Sequence, residues 1–317
     1  MGSPTSIHRL LRALVAILLV VVVTFLFVHI VPGDPARTIL GPQASPASVA
    51  ALQDKLGLHD SLPTQFADYV SGLVRGDLGT SVAQDVPVTT LMADRTAPTV
   101  ALIAYAALLT VLLTVPAAAL AARRPGSAVD HAVRTVPLLG LGLPAFWFAL
   151  VLIQFFAVRL GWFPAGGYGD TPLEHLHALT LPALVTAVSI LPFTIQSLRV
   201  AMIEAHDADY VAAARARGVP SRRIFTRYVF RNACIPAVVV LGLNMGWLIG
   251  NTLIVEKVFA IPGIGSLLVD STLSRDFPVV QGLALVIALL VIGTNLLTEV
   301  ARIGLDPRLR IAKEAIR

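Results

Sequence analysis

The chain has 317 residues, of which 56% are hydrophobic and only 14% charged, against about 25% charged in an ordinary soluble domain. That balance excludes intrinsic disorder, which needs low hydrophobicity and high charge, and it leaves too little polar surface for a single soluble core. The class that remains is an all-α polytopic membrane protein, and the net charge of +5 must be read from where its 24 basic and 19 acidic residues fall.

Six nearly uncharged runs follow one another: residues 13–31, 97–122, 136–158, 178–198, 233–255 and 278–297. Each is near the ~20 residues that cross a hydrocarbon core about 30 Å thick. Lipid offers no partner for backbone N–H and C=O groups, so each run is expected to be a helix. The first run follows Arg9 and Arg12 and is longer than the ~7–15 apolar residues of a signal peptide. It continues into Pro32-Gly33-Asp34-Pro35 instead of a small-residue cleavage site, which favours a retained span.

Residues 32–96 read as a small external helical cap. Ser45 and Pro46 suit the N-cap and first position of one helix, with Gly57 at its end. A second helix is expected from Pro63 to Arg75, closed by Gly76. Its apolar residues Phe66, Tyr69, Val70 and Leu73 recur at helical spacing. In the third run, Gly140 and Gly142 suit close helix packing. The expected organisation is residues 1–31 as N-terminus and first span, 32–96 as cap, 97–304 as a five-helix core carrying an internal loop at 199–232, and 305–317 as tail. With the N-terminus inside, 17 of the 24 basic residues fall on the inner side. The positive-inside rule therefore places both termini in the cytoplasm.

Several chemistries lack their residues. A phosphate-binding loop needs Gly-Lys-Ser/Thr, and Lys55, Lys257 and Lys313 follow Asp54, Glu256 and Ala312. No Gly-x-Ser-x-Gly elbow is present. The lone Cys234 cannot form an intrachain disulfide. His175 and His177 form the only close histidine pair and read as part of a solvated loop. Ion-coupled carriers place ionisable groups in the membrane, and the centres of the six runs hold none. Glu256 and Asp276, flanking the last external loop, are candidates for a substrate entrance, with ordinary solvated loop charges as the simpler reading.

The internal loop carries the most information. Asp207 or Asp209 can cap a helix over the alanines at 212–216, Arg215 and Arg217 fall in its last turn, Gly218 suits a left-handed turn, and Pro220 stops continuation. A second helix then starts near Ser221 with Arg222, Arg223, Arg227 and Arg231. This is either a basic loop that enforces topology and touches anionic lipid, or a rigid knob that small residues at 212–214 let a partner protein approach.

The loop resembles the coupling loop of binding-protein-dependent ABC importer permeases, in the form of the peptide/nickel branch. Asp209, Tyr210, Ala214, Arg215, Ala216, Arg217, Gly218, Arg231, Asn232 and Ala233 fit that form, and Ala213 fits the general one; Ala212 replaces the usual glutamate. Val31-Pro-Gly-Asp-Pro35, Gly76-Asp-Leu-Gly-Thr-Ser81, Leu143-Pro-Ala-Phe-Trp147, the stretch from Val255 to Gly265, Arg275-Asp-Phe-Pro278 and Leu305-Asp-Pro-Arg308 resemble the same branch in order. The chain is thus similar to B-type permease subunits of dipeptide/oligopeptide importers.

The resemblance implies the MetI-like permease fold of type I ABC importers, with six spans in a bacterial inner membrane. It implies a non-enzymatic subunit without cofactor, since ATP and Mg belong to partner ATPases. The implied partners are a second related permease, two ATPase subunits or a fused pair, an external binding protein and the lipid bilayer, and no nucleic acid. It places ATPase coupling at Asp209, Tyr210, Ala213, Ala214, Arg215, Arg217 and Gly218, and suggests binding-protein docking near Asp77 and Ser81. Substrates implied are dipeptides or oligopeptides, with nickel chelates or glutathione as alternatives. A secondary peptide transporter is the rival class.

Overall fold

The computed structural model describes the backbone of residues 4–30, 41, 43–55 and 60–305. The expected helix end at Gly57, the motif at 31–35 and the tail lie outside these residues. The described backbone is helical: α1 (Pro4–Ile30), α2 (Pro46–Lys55), α3 (Leu62–Val74), α4 (Val88–Arg123), α5 (Ala128–Leu141), α6 (Ala145–Leu152), α7 (Pro172–Val188), α8 (Leu191–Asp207), α9 (Asp209–Ala216), α10 (Ser221–Leu243), α11 (Met245–Val258), α12 (Ile264–Leu273) and α13 (Phe277–Leu305). Wider π-helical turns occur at Ile153–Arg159, after α6, and at Ile224–Phe230, inside α10.

Among the described residues, three helices are long and apolar enough to cross a membrane, over Val88–Arg123, Ser221–Leu243 and Phe277–Val300. Two more spans count if each bent pair is one: α5 with α6 and its π turn, bent by 104°, and α7 with α8, bent by 61°. In α1 the described side chains cover only Leu11–Leu26, shorter than a span. The described residues therefore support three to five spans where the sequence suggests six.

The bends have local causes. Pro144 disfavours helical geometry at Leu143 and itself adopts ψ 131° at the start of α6. Pro192 stands in the first turn of α8, where its missing N–H costs nothing. The fifth apolar run is divided at Asn244, whose side chain donates to the Val240 carbonyl at 2.8 Å. Its first helix starts well before the run, at Ser221. Conversely, Pro98 and Pro116 lie within the continuous α4.

The chain divides into two compact units, residues 1–97 with 263–292, and residues 98–262 with 293–317. In the first unit, α3 lies on α1: Phe66 meets Phe25 edge-on at 5.2 Å, and the Tyr69 hydroxyl is 3.2 Å from that of Thr24. Burial pushes the Tyr69 phenol above its ordinary pKa. Phe66, Tyr69, Val70 and Leu73 are all half-buried, so the predicted apolar face is the packed one. The core joins Val88 and Met92 of α4 to Ile264 and Leu267 of α12 and Val279 and Leu283 of α13. The caps follow the sequence: the Ser48 N–H donates to Ser45 Oγ at 3.1 Å, and Gly76 turns left-handed at φ +79°.

The second unit has two cores. One joins Leu102, Leu152, Leu179, Leu248 and Val255. The other lies beneath α9. Gly140 is a close-approach glycine, since a Cβ there would sit 2.9 Å from the Val188 side chain; Gly142 meets only its own helix.

Candidate functional site

The segment from α9 into α10 forms helix, tight turn, helix. Ala208, extended at ψ 145°, occupies the N-cap and no side chain caps the helix. This corrects the expected Asp cap: Asp207 ends α8, and Asp209 sits in the first turn of α9, where its charge suits the helix dipole. At the other end the Gly218 N–H donates to Arg215 O at 2.9 Å and the Val219 N–H to Ala214 O at 3.1 Å. Gly218 has φ +74°, and no atom lies within 4 Å of where a Cβ would stand. The requirement for glycine is therefore conformational, not steric.

Val211 and Ala214, three residues apart, point inward and are fully buried against Leu198, Met202 and Ala205 of α8, Ile224, Val229 and Ala233 of α10, and Ala118 of α4. Asp209, Tyr210, Ala212, Ala213, Arg215, Ala216, Arg217 and Gly218 face outward. Ala214 is thus small for internal packing, and only Ala212 and Ala213 offer the close external approach read from the alanine run. Arg215 bonds His206 at the end of α8, and Asn232 reaches the Tyr210 hydroxyl at 3.4 Å and the Tyr228 carbonyl at 2.7 Å. The outer face is therefore tied to both flanking helices.

The arginines of the internal loop do not form one set. Arg215, Arg217, Arg222, Arg223, Arg227 and Arg231 are exposed, whereas Arg199 is buried within α8 and grips Asp130 with both arms of its guanidinium, Nε to Oδ1 at 2.5 Å and Nη2 to Oδ2 at 2.6 Å. Asp130 is wholly buried. Its Oδ2 also accepts the Gly126 N–H at 2.8 Å, and its own N–H donates to Ser127 Oγ at 3.3 Å. Paired burial is tolerable because the fork supplies charge and geometry together. Sequence reasoning missed this pair. The only hint was Ser127, an N-cap residue three positions before an acid.

The candidates outside the loop take other places. Ser81 and Asp276 meet in the first unit: Asp276 accepts Ser81 Oγ at 2.5 Å and the N–H groups of Val82 and Ala83 at 3.1 and 3.2 Å. Asp77 is exposed, and its Oδ1 accepts the Gly79 N–H at 2.8 Å. Glu256, in the second unit, is fully buried and accepts the Thr99 hydroxyl at 2.6 Å. Both carboxylates are buried and accept internal hydrogen bonds, so neither is an ordinary solvated loop charge. The two histidines also serve separately: His175 Nδ1 lies 2.9 Å from Tyr168 O and His177 Nε2 lies 2.7 Å from Trp162 O.

Comparison with known proteins defines the class. Residues 114–311 match the family described as binding-protein-dependent transport system inner membrane component, and residues 5–103 match the N-terminal region of such membrane components. The oligopeptide transport system permease protein AppB of Bacillus subtilis is 33% identical over 96% of this chain and 98% of its own. The glutathione transport system permease protein GsiC of Escherichia coli O6:H1 is 38% identical over 96% of this chain and 98% of its own. A chain of the MetNI methionine ABC transporter, solved in inward-facing conformations, superposes with a TM-score of 0.56 at 16% identity, covering 69% of this chain and 97% of that one, which shows a shared fold. This chain belongs to the inner membrane components of binding-protein-dependent transport systems. It is a permease, a non-catalytic transport subunit that works with ATPase and binding-protein partners, and the family carries no cofactor on this subunit.

Proposed function

We propose that this chain is the permease subunit of an ATP-driven importer of short peptides. It forms half of a translocation pathway completed by a second, related permease, with two ATPase subunits or a fused pair below. Full-length similarity to oligopeptide and glutathione permeases carries the peptide reading. Glutathione, itself a tripeptide, is the second substrate reading, favoured by the 38% identity to GsiC. The excess of basic residues on one set of segments supports cytoplasmic termini.

In this reading α9 and its left-handed turn dock into a cleft of an ATPase, through Asp209, Tyr210, Ala213, Arg215, Arg217 and Gly218, while Ala214 anchors the helix from within. What supports it is a two-faced helix: one face closed by Val211 and Ala214, the other exposed and held by Arg215–His206 and Asn232–Tyr210. A rigid knob of this kind transmits displacement instead of absorbing it. The exposed Asp77 belongs to binding-protein docking, and the buried Ser81 supports the docking loop from beneath.

The test is reconstitution of this chain with its partner permease, ATPases and binding protein in proteoliposomes, followed by uptake of isotope-labelled dipeptide, tetrapeptide and glutathione. ATP-dependent accumulation of a peptide is the expected result. Accumulation driven by a proton gradient without ATP would overturn the assignment. Crosslinking from Asp77→Cys to the binding protein tests the docking face.

A further inference from the structure

The coupling reading leaves one question open: how displacement of α9 reaches helices it does not touch. We propose that the Asp130–Arg199 pair is a positioning link that ties the coupling helix to the turn between α4 and α5, so that both move together.

The connections are continuous. Alpha-9 follows α8 after the single residue Ala208, and the Arg215–His206 bond and the Val211–Ala214 packing hold it against the end of α8. Arg199 lies on that same α8, two turns earlier. Through Asp130 it grips the first turn of α5, and the same carboxylate holds the Gly126 N–H of the turn that follows α4. Gly126 is itself left-handed at φ +79°, and Ser127 caps α5 through the Asp130 N–H. One carboxylate therefore joins three segments: α8, the 124–127 turn and α5. Both of its oxygens are committed, and the guanidinium approaches as a fork, so the joint resists rotation as well as separation. A joint that only added stability would not need to sit between the coupling element and a turn linking two membrane helices. Removing the fork while leaving charge in place should let α8 slip relative to α5.

The inference rests on the coupling reading, and the experiment separates the two. In the complete reconstituted transporter, labelled tetrapeptide taken up per ATP hydrolysed is measured for the wild type, Gly218→Val, Asp130→Asn and Arg199→Lys. Arg199→Lys keeps the charge and loses the fork, so it serves where Asp130→Asn fails to assemble. The expected result is near-normal ATP hydrolysis with uptake per ATP reduced about fivefold in Arg199→Lys, within the range of measured coupling effects. The double variant Asp130→Asn with Arg199→Gln should be no worse than Asp130→Asn alone, because both break the same joint. An unchanged ratio in assembled Arg199→Lys complexes, with Gly218→Val uncoupled, overturns the link and leaves the docking reading standing. A reduced ratio in Arg199→Lys with a normal one in Gly218→Val removes α9 as the docking element and overturns the link from it, leaving the pair only as a joint between α8 and α5. Normal ratios in both remove both.

Discussion

Two buried aspartates, one within each unit of this protein, are satisfied by different means. Asp276 in the first unit is surrounded by neutral donors, the Ser81 hydroxyl and two backbone N–H groups. Asp130 in the second is met by a full positive charge. A nest of neutral donors fixes the path of a loop, and any acceptor of the right shape can partly replace the carboxylate. A forked ion pair fixes the relative position of two helices, and neither partner can be removed alone without stranding a buried charge. Under the coupling proposed above, the difference separates a part that keeps its shape from a part that transmits force.

The largest expected effect comes from stranding the charge. Arg199→Met should lower the stability of the purified protein by about 3–5 kcal/mol, read as a fall in the thermal midpoint in detergent. Combining it with Asp130→Asn should restore a large part, since the uncompensated charge is gone; a double variant as unstable as the single one would break the contrast. Next comes Asp276→Ala, which leaves three donors without their acceptor at about 1–3 kcal/mol for each one that water cannot reach. It should expose residues 80–87 to limited proteolysis. Asp276→Asn should be much milder than Asp130→Asn, and equal losses would remove the distinction between nest and ion pair.

Two charge-free changes calibrate the scale. Gly218→Val forces a β-branched residue into φ +74° and should cost about 1–2 kcal/mol, while Gly218→Asn should recover most of it because asparagine tolerates that conformation. Thermal midpoints of the two variants provide the check. Smallest is Ser45→Ala, which removes the N-cap of α2 at about 1 kcal/mol. It should speed hydrogen exchange at Ser48 and its neighbours without moving the global midpoint.

Features set by neighbours in the chain were legible. Ser45, Gly76, Gly218 and Pro220 each act within one turn of themselves, so their residue types announce the caps and breaks that the structure contains. The face of α3 was legible for the same reason. Hydropathy reported apolar length but not direction. It therefore merged α5 with α6 and α7 with α8 into straight runs, although Pro144 and Pro192 marked the breaks. Arg199 read as the first charge after a span because nothing local distinguishes it from the exposed arginines that follow. Its partner is 69 positions away.

By itself the sequence determined the class: too few charges for water, long uncharged runs that lipid forces into helices, and a helix-breaking glycine and proline that shape an exposed basic knob. These follow from solvation and short-range sterics, which act residue by residue. Only the tertiary structure decided which charges are buried. Glu256, Asp276, Asp130 and Arg199 look like ordinary flanking charges in the chain. Each is buried beside a partner brought from a distant segment, a hydroxyl, a loop, a guanidinium or a carboxylate, that offsets the cost of burying it. That compensation exists only once the segments have packed.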